Sequence, residues 1–283
     1  MEFPIPLNFT TIAILSSFFA AIANILARTL LKEIKAKEIL AVNFFVMAGT
    51  LAFFSHTFYF FEISNTSLLL FASIVVIDAV ANYFYFKSFE KSEASVVTPI
   101  LSLLPIFALL FSIILQLETA NPFQLIISIL IVFGTVFFLF DFKNIKHFNR
   151  NTLVPALAAA VLFGLSAIPS KLLLTNLAAT NPLTLYMYRA FFIGIINLFI
   201  FKLAFLAIKR EHYKWIFFRG LFVIAQWALL YYALFKGSIG VSVTLANITP
   251  IFVFILGAIF LKEKPTVKRA VAAVMILIMS LIL

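Results

Sequence analysis

Polar residues are sparse along this chain and gather in short groups between long apolar runs. A membrane-crossing helix needs about 20 consecutive apolar residues. Ten runs reach that length: 10–31, 39–61, 67–88, 94–117, 122–142, 153–174, 182–205, 215–235, 239–261 and 265–283. They are continuous and do not alternate with period two, so they predict helices and not the strands of a barrel. Connections such as 62–66, 118–121 and 236–238 are a few residues long. Consecutive helices are therefore antiparallel neighbours, and no loop can hold a soluble active site. The first run follows Glu2 and two prolines with no Lys or Arg. It lacks the basic start of a secretory signal peptide and reads as a span.

The runs repeat. Displaced by 145 residues, the fourth falls on the ninth: Pro105, Ile106, Phe107 and Glu118 meet Pro250, Ile251, Phe252 and Glu263, and upstream Lys91 meets Lys236. Matched Ile and Phe mean little in so apolar a chain, whereas a matched proline within a run and a matched closing Glu do. A displacement of 143 brings Arg28 and the Thr-Leu-Leu after it onto Lys171 and Leu172 to Leu174 of the sixth run. The chain divides into a first repeat, 1–146, and a second, 147–283, with five helices each. Five is odd, so the second copy enters the membrane from the opposite side. The expected fold is all-α: ten transmembrane helices in two inverted five-helix repeats. Carriers built this way place their substrate at the midplane between the repeats.

Composition agrees: 64% of the 283 residues are hydrophobic and 11% charged, with a mean hydropathy of +1.14, against about half and a quarter in soluble domains. The chain has no cysteine, which removes disulfides, thiolate catalysis, iron–sulfur clusters and most zinc sites. A net charge of +10 raises nucleic acid as a partner, but the basic residues cluster between apolar runs, where they orient a membrane protein. Eighteen Lys and Arg, among them Lys35, Lys146, Arg210, Arg219 and Lys264, fall on one side; Lys171, Arg189 and Lys236 fall on the other. The positive-inside rule puts the first set in the cytoplasm and both termini outside, in a multi-pass protein of the cell membrane.

An ionisable side chain within a span costs on the order of 3 kcal/mol, which makes each one a functional candidate. Asp78 is the one acid in the middle of a run, and Asn82 and Tyr85 follow on the same helical face. Two readings stand: satisfaction by neighbouring hydroxyls or by Arg189, or a site that couples transport to a proton or cation. Displaced by 145 residues, Asp78, Asn82 and Phe86 fall on Val223, Trp227 and Tyr231, with Gln226 beside them, so acid and amide on one wall would face aromatics on the other. Interhelical bonding is the plainer reading for these, and the preferred one for Tyr232. Ser102 and Asn247 are equivalent, each three residues before the matched proline. A proline frees a backbone carbonyl, so these positions combine a polar side chain with exposed backbone, and Pro105 and Pro250 are candidate hinges. Asn24 and Ser166 complete the candidate substrate-binding set. Asn43, His56 and Asn197 are weaker candidates. Arg189 and Lys171 lie near helix ends, where long basic side chains snorkel to the interface. His56 has no second ligand at helical spacing, and no metal site or cofactor is expected.

The two five-helix copies, the Pro-Ile-Phe within the fourth and ninth runs and the Glu that closes each resemble the drug/metabolite transporter superfamily, in particular its EamA-type transporters. The resemblance spans nearly the whole chain. It implies a ten-helix carrier with a cavity from helices one, three, four, six, eight and nine, exporting amino acids or other small metabolites by alternating access. Members are usually drawn with cytoplasmic termini, the reverse of the charge count here. Partners are then a small-molecule substrate and the lipid bilayer, in a monomer or dimer. A lipid or lipid-linked sugar flippase on the same repeat is the alternative. An intramembrane enzyme is the weaker one, since no His-Glu-x-x-His, Gly-x-Ser-x-Gly or phosphate loop occurs and no catalytic residue is assigned. Without a nucleotide-binding domain, ATP is not the direct energy source.

Overall fold

The computed structural model describes residues 8–90, 94–117, 121–139, 150–202 and 204–260, with positions 271, 274, 275, 278 and 279. Glu118, Glu263, Lys91, Lys146, Lys264 and most of the predicted helix 265–283 lie outside the described residues. Within them the chain forms α1 (Phe9–Leu30), α2 (Ala36–Phe54), α3 (Asn65–Glu90), α4 (Ala94–Leu101), α5 (Leu104–Ile114), α6 (Pro122–Leu139), α7 (Arg150–Lys171), α8 (Pro182–Phe201), α9 (Arg210–Lys236), α10 (Ile239–Ala246) and α11 (Thr249–Phe260). Seven helical segments among the described residues are long and apolar enough to cross a membrane.

Two predicted spans are not continuous. The fourth is divided into α4 and α5 at Ser102 and Leu103, and the ninth into α10 and α11 at Asn247 and Ile248. These breaks are 145 residues apart. The cause is the matched proline: with no N–H to give, Pro105 and Pro250 cannot continue the preceding helix, and each sits in the first turn of a new one, where that donor is not needed. The predicted hinge positions are thus helix starts. Other starts are capped by side chains that accept from the backbone N–H of the third helical residue: Asn8 from Thr11, Asn181 from Thr184 and Ser238 from Val241.

Packing repeats in exchanged form. α1 lies against α9 and α7 against α3; α10 and α11 touch α1 as α4 and α5 touch α7; α2 and α8 face each other. The close approaches rest on small residues. Ala13, Ser16, Ser17 and Ala21 of α1 correspond, 143 residues on, to Ala156, Ala159, Ala160 and Gly164 of α7, and all eight are buried. Small side chains let backbones meet in lipid, where burial of apolar surface drives nothing. At Gly164 the approach is closest: a Cβ there would lie 2.8 Å from Phe107 Cβ and 2.9 Å from the Ala108 backbone nitrogen. Large apolar side chains such as Phe53, Leu69 and Phe199 point outward. This is the distribution for a bundle solvated by lipid.

One end is laced. The antiparallel bridge between Phe61 and Thr180 is reinforced by Glu62 N–H donating to the Ala179 carbonyl at 2.7 Å and by the Thr180 hydroxyl donating to the Phe60 carbonyl at 3.0 Å. The Asn181 amide also donates to the Phe58 carbonyl. At the opposite, basic end the corresponding loops are joined by His212 Nε2 and Glu33 Oε2 at 2.8 Å.

Candidate functional site

Asp78 sits at the middle of α3 with no exposure. Its carboxylate pairs with Nε of Arg189 on α8, with Ser166 of α7 beside it. Of the two readings open for Asp78, pairing with Arg189 is the one seen. The expectation that Arg189 snorkels is corrected: it is 1% exposed. A carboxylate at the same depth on a neighbouring helix neutralises it, and snorkelling would leave that carboxylate alone. Asn82 is also buried, but its amide donates to the Asp78 backbone carbonyl at 2.8 Å. It serves its own helix.

The guanidinium of Arg189 lies 3.7 Å from the centroid of the Trp227 ring, with Tyr186 and Tyr231 at 5.5 and 5.9 Å. Tyr186 stacks on Trp227 and donates its hydroxyl to Met47 Sδ at 3.1 Å. Trp227 and Tyr231 thus lie beside the cation of the ion pair.

A second buried cation was missed by sequence reasoning, which counted Arg219 among the loop charges. It lies nine residues after Arg210, about 13 Å along α9, and is 3% exposed. Its place inside the run 215–235 is the one signal the sequence offers, and position along a helix does not give a side chain's direction. Nη1 donates to Asn43 Oδ1 of α2 at 2.6 Å, and Nη2 reaches the Tyr85 hydroxyl of α3 at 3.4 Å. Tyr85 in turn donates to Asn24 Oδ1 of α1 at 2.6 Å. The Phe86 ring lies 4.6 Å from the guanidinium carbon. Tyr85, Asn24 and the lesser candidate Asn43 thus form one cluster with a residue not predicted.

The two cation sites are joined by rings. Tyr85 contacts Phe163 at 6.4 Å between centroids, and Phe163 contacts Trp227 at 5.8 Å. Tyr85 touches α1, α7 and α9 and still keeps part of its surface exposed.

Ser102 and Asn247 are brought together. The Ser102 hydroxyl is shared between the Thr98 carbonyl at 3.0 Å and the Asn247 carbonyl at 3.1 Å, and the Asn247 amide donates to the Val243 carbonyl at 2.8 Å. The Gln226 carbonyl accepts from Ser16 at 2.8 Å, a bond between α1 and α9. Tyr232 packs with Ile12, Ala13 and Val241, away from the ion pair. Asn197 donates to the Ile193 carbonyl on its own helix, and His56 is exposed. Lys171 donates to the Leu234 and Gly237 carbonyls at the end of α9, as Arg28 does to Phe89 and Glu90 at the end of α3. Both cations satisfy helix C-termini, where carbonyls lack partners and the dipole favours positive charge; snorkelling is not how Lys171 is satisfied. Glu33, Glu211 and His212 bring three ligand atoms within 4.8 Å of one another at the basic end, with both carboxylates exposed. Carboxylates so placed are solvated without a metal.

The model of the EamA-like transporter family matches this chain twice, over residues 10–140 and 151–283. A relative from Archaeoglobus fulgidus, described as an uncharacterized transporter, is 26% identical over 224 residues, which cover 77% of this chain and 76% of the relative. A crystal structure of 14% sequence identity superposes with a TM-score of 0.74, covering 96% of this chain and 93% of the other. At that identity the likeness speaks for the fold alone.

Proposed function

Since the chain belongs to the EamA-like transporter family and is a multi-pass membrane protein, we propose that it is a ten-helix secondary carrier that exports amino acids or other small metabolites by alternating access. Its two inverted repeats, 1–146 and 147–283, exchange conformations about the broken helices, with the basic end in the cytoplasm and both termini outside. The substrate binds between the Asp78–Arg189 pair and the Tyr85–Arg219 cluster.

The observation that carries this reading is that the polar contacts at the centre join one repeat to the other. Asp78, Asn43, Tyr85 and Ser102 belong to the first repeat; Arg189, Arg219 and Asn247 belong to the second. A static fold gains nothing from placing its buried charges across that boundary, since a buried pair is little better than apolar packing. A carrier whose halves move apart on alternate faces needs interactions that open and re-form there. Asp78 is the coupling group: when the pair opens, a proton or cation takes the place of Arg189 on the carboxylate.

Transport by purified protein in proteoliposomes tests this. The double variant Asp78→Asn, Arg189→Gln removes both charges and leaves neither side chain unpaired. It is expected to retain exchange of substrate across the membrane while losing accumulation driven by a proton or cation gradient. Accumulation undiminished in the double variant would remove the coupling role.

A further inference from the structure

Arg219 is a buried cation with no carboxylate in ion-pair range among the described residues. The contrast with Arg189 at nearly the same burial is direct, since Arg189 has Asp78. Burying a guanidinium without a counter-charge costs several kcal/mol, and neutral partners recover only part of it. The neutral partners of Arg219 are also arranged on one side. Nη1 is taken by Asn43 at 2.6 Å, Nη2 has a long contact with Tyr85 at 3.4 Å, and Nε has no partner. The Nε–Nη2 edge, which presents two parallel N–H groups, is thus the unsatisfied edge of the fork. That edge matches the two oxygens of a carboxylate.

The surroundings fit such a ligand. The guanidinium carbon lies over the Phe86 ring, 4.6 Å from its centroid. Tyr85 presents its hydroxyl beside the free edge, and its ring continues through Phe163 to Trp227. Asp78, the one acid among the described residues in the middle of a span, is occupied by Arg189 and so repels an anion little. Among the described residues, Arg189, Arg219 and Asp78 leave one positive charge in excess in the interior.

We propose that Arg219 binds the carboxylate of a small organic anion, bidentate through Nε and Nη2, with the ligand's apolar part along Tyr85 and Phe163. This rests on the carrier reading and gives its substrate a class: a carboxylate whose negative charge completes the buried cation. Asn43 is a positioning residue. It holds Nη1 and leaves the Nε–Nη2 edge to the ligand, and Asn24 orients the Tyr85 hydroxyl.

The test is a thermal-shift titration of the purified protein with acetate, pyruvate, succinate and benzoate, each beside its amide, together with inorganic phosphate. Ligands that bind the folded state raise its melting temperature. At least one acid is expected to do so while its amide does not, and Arg219→Gln should weaken that acid on the order of ten- to a hundredfold. Arg219→Lys keeps the charge and loses the fork, and it should weaken the same acid as well. If neither variant folds, the acid and amide comparison on the unaltered protein decides alone. Equal shifts for acid and amide, a shift from phosphate only, or no shift from any acid overturns the assignment. Exchange in proteoliposomes separates this from the carrier reading. Exchange of a neutral or cationic solute that survives Arg219→Gln keeps the carrier and removes the carboxylate site; acid binding without exchange of any solute does the reverse.

Discussion

The hydroxyl of Ser102 donates to the backbone carbonyl of Asn247, its own counterpart 145 residues later, at 3.1 Å. The two helix breaks therefore meet, and each lies two or three residues before a proline. The unwound turns bring side-chain and backbone polar groups together at a depth where an unbroken helix would show neither.

Replacing either proline should mend its helix. Pro105→Ala or Pro250→Ala restores a backbone donor and removes the ring that clashes with the preceding turn. The melting temperature is expected to hold or rise while the initial exchange rate in proteoliposomes falls severalfold. A rate equal to that of the unaltered protein would show that the breaks serve packing only.

The Asp78–Arg189 pair should show strong coupling in a double-mutant cycle. Asp78→Asn leaves Arg189 buried and unpaired, and a loss of about 3–5 kcal/mol is expected. Arg189→Gln, which strands Asp78, should cost a similar amount. The double variant should recover most of the loss, because neither side chain then carries a charge. Thermal melts of the four proteins in one detergent measure this, and additive losses would mean the two side chains act independently.

Glycine positions offer a comparison of crowding with freedom. Gly164→Ala forces a methyl group against the α5 backbone and should cost roughly 1–3 kcal/mol. A Cβ at Gly49 meets nothing within 4 Å, so Gly49→Ala is expected to stabilise α2 by about 0.5–1 kcal/mol. Melting temperatures that move in the same direction for both would contradict the packing described between α5 and α7.

The laced end can be locked. The chain has no cysteine, so Phe61→Cys with Thr180→Cys introduces a single pair across the antiparallel bridge, where facing Cα atoms lie about 4.5–5.5 Å apart. Oxidation should stop exchange and a reductant should restore it. Exchange that continues with the disulfide fully formed would mean this end does not open.

Some of this was legible in the chain as text. The apolar runs located most helices to within a few residues, because membrane-spanning helices are selected by length and hydropathy, which are local. The matched prolines marked the positions of both breaks, although the runs across them were read as continuous. Asp78 stood out because no other acid lies in mid-run. Arg219 did not, because a basic residue within a dozen residues of a span's start is ordinarily a loop charge, and depth along a helix does not show which way a side chain points.

Sequence by itself determined that this is an all-helical membrane protein of two related repeats, since hydropathy and internal similarity are written residue by residue along the chain. Only the tertiary structure decided that Asp78 meets Arg189, that Asn43 and Tyr85 hold Arg219, and that Lys171 and Arg28 close helix ends. Those pairings depend on how far each helix is rotated about its axis and displaced along the membrane normal. Both quantities are fixed by contacts between residues far apart in the chain, such as Ser16 with Gln226 and Ser17 with Leu245.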